Sequence, residues 1–242
     1  MTLSLRRIKA LTKKEFKSFT KNTNVLLMCM LPILFSIIYS YIYGSDHVNG
    51  MPKLMVLLLC LNMNLIMCSS FTIAMLIAEE KEKNTLRTLL LSGVSALEFL
   101  FGKVVLTLLL STITNIIIFF ISGMEVKYLA WFLLISTLVI ISMIIIGALI
   151  GMFSKNQMST SVIGMPVMLI LLLIPMMADF NENIRKIALF TPNYNMTLIF
   201  NKIFYGLSLS SQEILPFVTI FIWIVVTSVG FIVAYNKVGI DN

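Results

Sequence analysis

Few side chains in this 242-residue sequence are of types that do covalent chemistry, and their spacing withholds it. Adjacent carboxylates such as Glu79 and Glu80 serve intramembrane metalloproteases in a Glu-Glu-x-x-x-Arg pattern, but Asn84 stands where the arginine belongs. The single histidine, His47, falls in a loop between apolar runs, and a solvated loop residue is its ordinary reading. Cys29, Cys60 and Cys68 lie within apolar runs and read as small buried hydrophobes, not as disulfide partners or metal ligands. Gly102-Lys103 lacks the rest of a phosphate loop, because Leu97 occupies the first-glycine position and Val104 follows the lysine. No catalytic residue, metal site or cofactor is expected in this chain, so any ATP hydrolysis belongs to another polypeptide.

The residues that could bind rather than react are concentrated between Ala78 and Lys103. Glu80, Lys81, Glu82 and Lys83 alternate in sign, and Glu79 stands one helical turn before Lys83. Thr85 then leads into Leu86, Leu89, Leu90 and Leu97, a short apolar face beside charges. Ser92-Gly93 predicts a break, and Ser95 with Glu98 three residues on predicts a capping box opening a second short helix. Such a face either docks a soluble partner or packs parallel to the membrane on its own bundle, and the spacing leaves both open.

Composition says what must hold this stretch in place. Residues of the apolar set make up 59% of the chain and charged residues 12%, whereas soluble domains carry about 25% charged and about 45–50% apolar. That excludes a secreted protein, a nucleic-acid binder and a disulfide scaffold, and makes lipid the solvent. Six runs are long enough to span a bilayer: Val25 to Tyr43, Lys53 to Ala78, Phe101 to Ser122, Tyr128 to Phe153, Ser161 to Ala178 and Leu215 to Tyr235. An even count puts both termini on one side. Thirteen Lys and Arg fall on that side and five on the other, with six and five acidic residues, so the whole net charge of +7 sits beside the termini and marks them cytoplasmic. Residues 1–24 predict an amphipathic helix, its seven basic residues opposite Leu5, Ile8, Leu11, Phe16 and Phe19, with Glu15 out of place in the apolar arc. It either lies on the inner leaflet against anionic lipid or serves only as a basic topology flank.

The stretch from Glu80 to Lys103 resembles the first intracellular loop of ABC-2 type permeases, the membrane subunits of one class of ATP-binding-cassette transporters. The match runs through Glu80-Lys81-Glu82, Thr85-Leu86, Leu89-Leu90, Ser92-Gly93-Val94-Ser95, Glu98 and Gly102-Lys103, with Gly93 where many relatives have proline. The resemblance implies an all-α polytopic fold of the ABC-2, type V-like, kind: a single transmembrane domain over residues 1–242 with six spans and an N-terminal interfacial helix. It implies that residues 79–100 form a coupling-helix loop seated in a groove of a cytosolic ATPase subunit. Glu79, Glu80 and Glu82 would then set orientation and salt links, Thr85, Leu86, Leu89 and Leu90 would fill the groove, Arg87 would belong to the same ATPase-coupling set, and Lys155 and Asn156 would add a second, minor contact. The implied partners are two ATPase subunits that bind ATP and magnesium, a second permease copy or a related permease, membrane lipids and the transported cargo.

Polar side chains within the spans share faces. Thr107, Ser111, Thr114, Asn115 and Ser122 do so in the third run, and Asn62, Asn64, Cys68, Ser69 and Thr72 in the second. They either hydrogen-bond between helices or line a cavity, and Asn62, Asn64, Ser111 and Asn115 are the candidates for a substrate path. Gly147-x-x-x-Gly151 in the fourth run predicts close helix packing. Residues 179–214 predict an outer re-entrant segment of short helices, either a lid on the exit or an interfacial aromatic belt. No span carries an ionisable residue near its middle, Lys103 lying at a helix mouth, which disfavours an ion-coupled carrier. The 17 Met and 17 Phe suit a lipophilic or amphipathic cargo. The resemblance implies an ATP-driven exporter in a bacterial plasma membrane, and small permeases of this appearance resemble those that export peptides or toxins, so a peptide or toxin is expected before a drug or lipid. The alternative is a non-transporting immunity or sensor protein.

Overall fold

The computed structural model describes residues 4–43, 52–207 and 214–240, so His47 lies outside the described residues. All regular elements among the described residues are helical. In chain order they are α1 (Leu5–Phe19), α2 (Thr23–Tyr43), α3 (Lys53–Asn64), a π-helical segment (Leu65–Phe71), α4 (Thr72–Glu82), α5 (Thr85–Leu91) and α6 (Ala96–Ile121). A single 3₁₀ turn (Val126–Tyr128) then leads into α7 (Leu129–Phe153), α8 (Gln157–Met177), α9 (Glu182–Ala188), α10 (Pro192–Phe204) and α11 (Ile214–Ile240). Six of these are long and apolar enough to cross a bilayer, with α3, the π segment and α4 running on as one helix, Lys53–Glu82.

That compound helix and α7 form the buried centre, and α2, α6, α8 and α11 stand around them with much of their apolar surface outward. Lipid covers such surface as readily as protein does, so packing has to come from close shape fit. The glycine pair supplies it. A Cβ on Gly147 would lie 2.0 Å from the Ser70 carbonyl oxygen of the π segment, and one on Gly151 would lie 2.8 Å from the Ala74 carbonyl oxygen. Only the missing side chains let α7 and the central helix approach this closely.

Two elements run differently from the sequence pattern. The short helix expected after Ser95 is the first two turns of α6, which continues unbroken through Gly102 because Leu11 of α1 packs on the bare glycine. The turn between α7 and α8 is reduced to Ser154–Asn156: the Ser159 amide donates to Asn156 Oδ1 (2.8 Å), starting α8 at Gln157. At the opposite end, α9 and α10 occupy the segment after α8. Pro192 follows Thr191 at the first turn of α10, Asn193 Nδ2 donates to the Leu171 carbonyl (2.6 Å), and buried Phe200 stacks on Phe132.

Candidate functional site

The stretch between α4 and α6 is shaped by three local devices. Asn84 takes the left-handed conformation (φ 55°) that ends α4, and α5 follows at once. Gly93 (φ 73°) makes the next reversal. A capping box then opens α6, the Glu98 amide donating to Ser95 Oγ (3.3 Å) and the Ser95 amide to Glu98 Oε2 (3.0 Å). The result is a seven-residue helix held between the ends of two long ones.

Under α5 lies a buried charge cluster. Lys103 is 1% exposed, and its Nζ donates to Glu15 Oε1 (2.8 Å) and Glu80 Oε1 (3.2 Å), with the Phe99 ring centroid 5.3 Å away. Glu80 also accepts from Lys14 Nζ and from the Thr85 hydroxyl at the start of α5. Glu15 and Glu80 are both buried. Two carboxylates around a buried ammonium compensate one another's lost hydration, with Lys14 as the outer cation. A small cleft of about 70 Å³ opens beside the cluster, between Ser18 and Thr85.

The α7–α8 turn meets the same region. The Gln157 amide donates to Glu82 Oε2 (3.1 Å), Lys81 Nζ donates to the Met152 carbonyl (2.5 Å), and Asn24 Nδ2 donates to Gln157 Oε1 (2.9 Å). The end of α4 and the start of α8 are thereby joined, which brings both connections to the same end of the bundle.

A family model described as ABC-2 family transporter protein matches residues 55–235 of the 242. The chain belongs to the ABC-2 transporter family. No curated protein matches it. An ABC-2 permease is the non-catalytic membrane subunit of an ABC transporter and works with an ABC ATPase, and the six apolar helices make this one a multi-pass membrane protein.

In this permease the residues expected at the coupling surface divide into two groups. Glu80 faces inward to Lys103, Lys14 and Thr85, so its carboxylate is already engaged within the chain. Leu86 is 4% exposed and belongs to the main core, not to an open face. Leu89 is half-buried against that core. Glu79 pairs with Lys83, as its spacing predicts, and accepts from Asn22 Nδ2 (2.7 Å); its carboxylate raises the pKa of the Lys83 ammonium above the ordinary value. The side chains of Arg87 and Leu90 lie outside the described residues. Glu82, Lys155 and Asn156 are exposed, as is Leu97 of the expected apolar face, and so are two apolar side chains the pattern did not single out for docking: Leu91 and Met158.

The four candidate path residues are buried within the chain's own packing. Asn64 Nδ2 donates to Asn115 Oδ1 (2.6 Å) and to the Ser111 carbonyl (3.0 Å), and Ser69 Oγ donates to Ser111 Oγ (3.0 Å). Asn64, Ser69, Ser111 and Asn115 are 0% exposed and Asn62 is 6% exposed. Asn62 bonds within its own helix, to the Leu58 carbonyl (2.9 Å). The free thiols of Cys29 and Cys68 lie beside this seam, 2.9 Å apart.

Glu15 and Lys103 were not among the expected site residues. Lys103 does not sit at a helix mouth reaching for water, because Glu15 of α1 and Glu80 of α4 surround it. The signal was present as Glu15, the one acidic residue in an otherwise apolar helical arc. A carboxylate there is tolerable only with a buried cation opposite it.

Proposed function

We propose that this permease is the membrane half of an exporter in a bacterial plasma membrane, with both termini cytoplasmic. Two copies, or one copy with a related permease, enclose the path and engage two ATPase subunits, which bind the ATP and magnesium. The observation that carries the docking half of this reading is the Glu82–Gln157 hydrogen bond, which ties the end of α4, just before α5, to the start of α8, just after the α7–α8 turn. That end of the bundle offers exposed apolar side chains, Leu91 and Met158, among Glu82, Lys155 and Asn156, a mixture suited to a soluble partner. Half-buried Leu89 adds to it on α5. Closure of the ATPases on ATP displaces α5, and the bundle passes from inward-facing to outward-facing. The basic face of α1 supports a cytoplasmic location for this end, where anionic lipid attracts it.

The cargo is amphipathic or hydrophobic, a peptide or toxin first and a drug or lipid next. Support comes from the 17 Met and 17 Phe, which give an adaptable apolar interior. The test is whether a cassette ATPase is encoded in the same operon and copurifies with the permease on coexpression. Copurification is expected, and Leu91→Asp with Met158→Asp should abolish it while leaving the yield of folded permease unchanged. Undiminished copurification would remove the docking assignment. Failure of any ATPase to bind the wild-type chain would favour the non-transporting immunity or sensor reading. With the complex in hand, a screen for stimulation of ATP hydrolysis identifies the cargo.

A further inference from the structure

The N-terminal helix contacts the α4–α6 stretch along its whole length. The Ser4 amide donates to Glu98 Oε1 (2.8 Å), and Arg7 Nη1 donates to the Gly93 carbonyl (2.8 Å). Leu11 rests on Gly102, where a Cβ would come within 3.0 Å of the leucine Cβ. Lys14 pairs with Glu80, and Asn22, just beyond the helix, donates to Glu79 Oε2 (2.7 Å). At the centre, Lys103 donates to Glu15 and Glu80 together, and Glu80 holds the Thr85 hydroxyl of α5. One buried ammonium thus ties α1, the end of α4, the start of α5 and α6. Anchoring in a leaflet requires an apolar face and a basic face, and α1 has both, but it does not require a buried carboxylate. Burying Glu15 is unfavourable unless its partner stays in place, so the pair is a constraint on where α1 can go.

We propose that Lys103 is the positioning residue that makes α1, α5 and the first turns of α6 one rigid body. A push on α5 then turns α1 and the third span together. This rests on the docking role of α5 proposed above, and the two can fail separately.

Spin labels at Lys9→Cys on α1 and Thr88→Cys on α5, both exposed, read the distance between the helices, because the three native cysteines are buried. In the permease alone, in lipid nanodiscs, a single narrow distance is expected. Lys103→Met and the milder Glu15→Gln, which keeps the Lys103–Glu80 pair, should lose that single distance, and Lys103→Arg should restore it. An equally narrow distance in both neutral variants overturns the role of Lys103. In the complex with its ATPase, trapping with ATP and vanadate should leave the wild-type distance unchanged. A shift on trapping shows α1 and α5 moving apart and overturns the rigid body. Absence of ATPase binding sinks the docking role, while the measurement on the permease alone still decides whether Lys103 clamps α1.

Discussion

A leucine in an amphipathic stretch can face a partner or its own core, and sequence spacing does not distinguish the two when the helix is only two turns long. At Leu86 the core takes it. Leu86→Asp should therefore cost the permease its fold, since a buried unpaired carboxylate costs several kcal/mol (about 3–5). Leu91→Asp, at an 82% exposed position, should leave the fold intact and weaken ATPase binding alone. Size-exclusion profiles of the detergent-extracted permease, followed by copurification, separate the two outcomes. The same ambiguity held for the polar seam. Asn64 and Asn115 bond to each other, so Asn115→Leu should lower thermal stability by about 0.6–1.7 kcal/mol, and a cycle with Asn64→Leu should recover most of that as coupling. A larger effect on cargo-stimulated than on basal ATP hydrolysis would instead return Asn115 to the substrate path.

At the scale of elements, the sequence made most devices visible because each depends on a few neighbouring residues. The Ser95–Glu98 box, the Glu79–Lys83 pair and the Gly147–Gly151 spacing are all local patterns. The π-helical segment and the unbroken run of α6 were not legible, because both depend on what packs against them. Leu11 lies on Gly102 within the unbroken helix, and the π turn falls in a run whose polar face, Asn62 to Thr72, reads with ordinary helical spacing. The close approach at Gly147 is the element-level contact most open to test. With the Ser70 carbonyl oxygen 2.0 Å from the would-be Cβ, backbone must move, and Gly147→Ala should abolish the folded bundle or sharply lower its melting temperature. Gly230→Ala is the matched control: its Cβ would meet Leu149 at 3.6 Å, an ordinary contact, and no loss is expected. Equal behaviour of the two variants in thermal unfolding would show that the α7 contact relaxes.

For the whole molecule, the decisive quantity is charge asymmetry rather than any one contact. Six spans require the termini to share a side, and the exposed basic face of α1 lies at the same end as α5 and the α7–α8 turn. The surface potential of anionic lipid favours that end inside by about 1 kcal/mol for each basic residue near the surface. Seven such residues on and just after α1 outweigh the two cations of α9, Arg185 and Lys186, at the opposite end. The orientation can be read chemically, because Cys29, Cys60 and Cys68 are all buried and leave the wild-type chain without an accessible thiol among them. Asn183→Cys, exposed on α9, should react with a membrane-impermeant maleimide in intact cells. Lys155→Cys, exposed in the α7–α8 turn, should react only after the membrane is opened, in cells expressing the permease without its ATPase. The reverse pattern would put α5 outside, where no ATP-driven subunit could reach it, and coupling through that helix would fall with the topology.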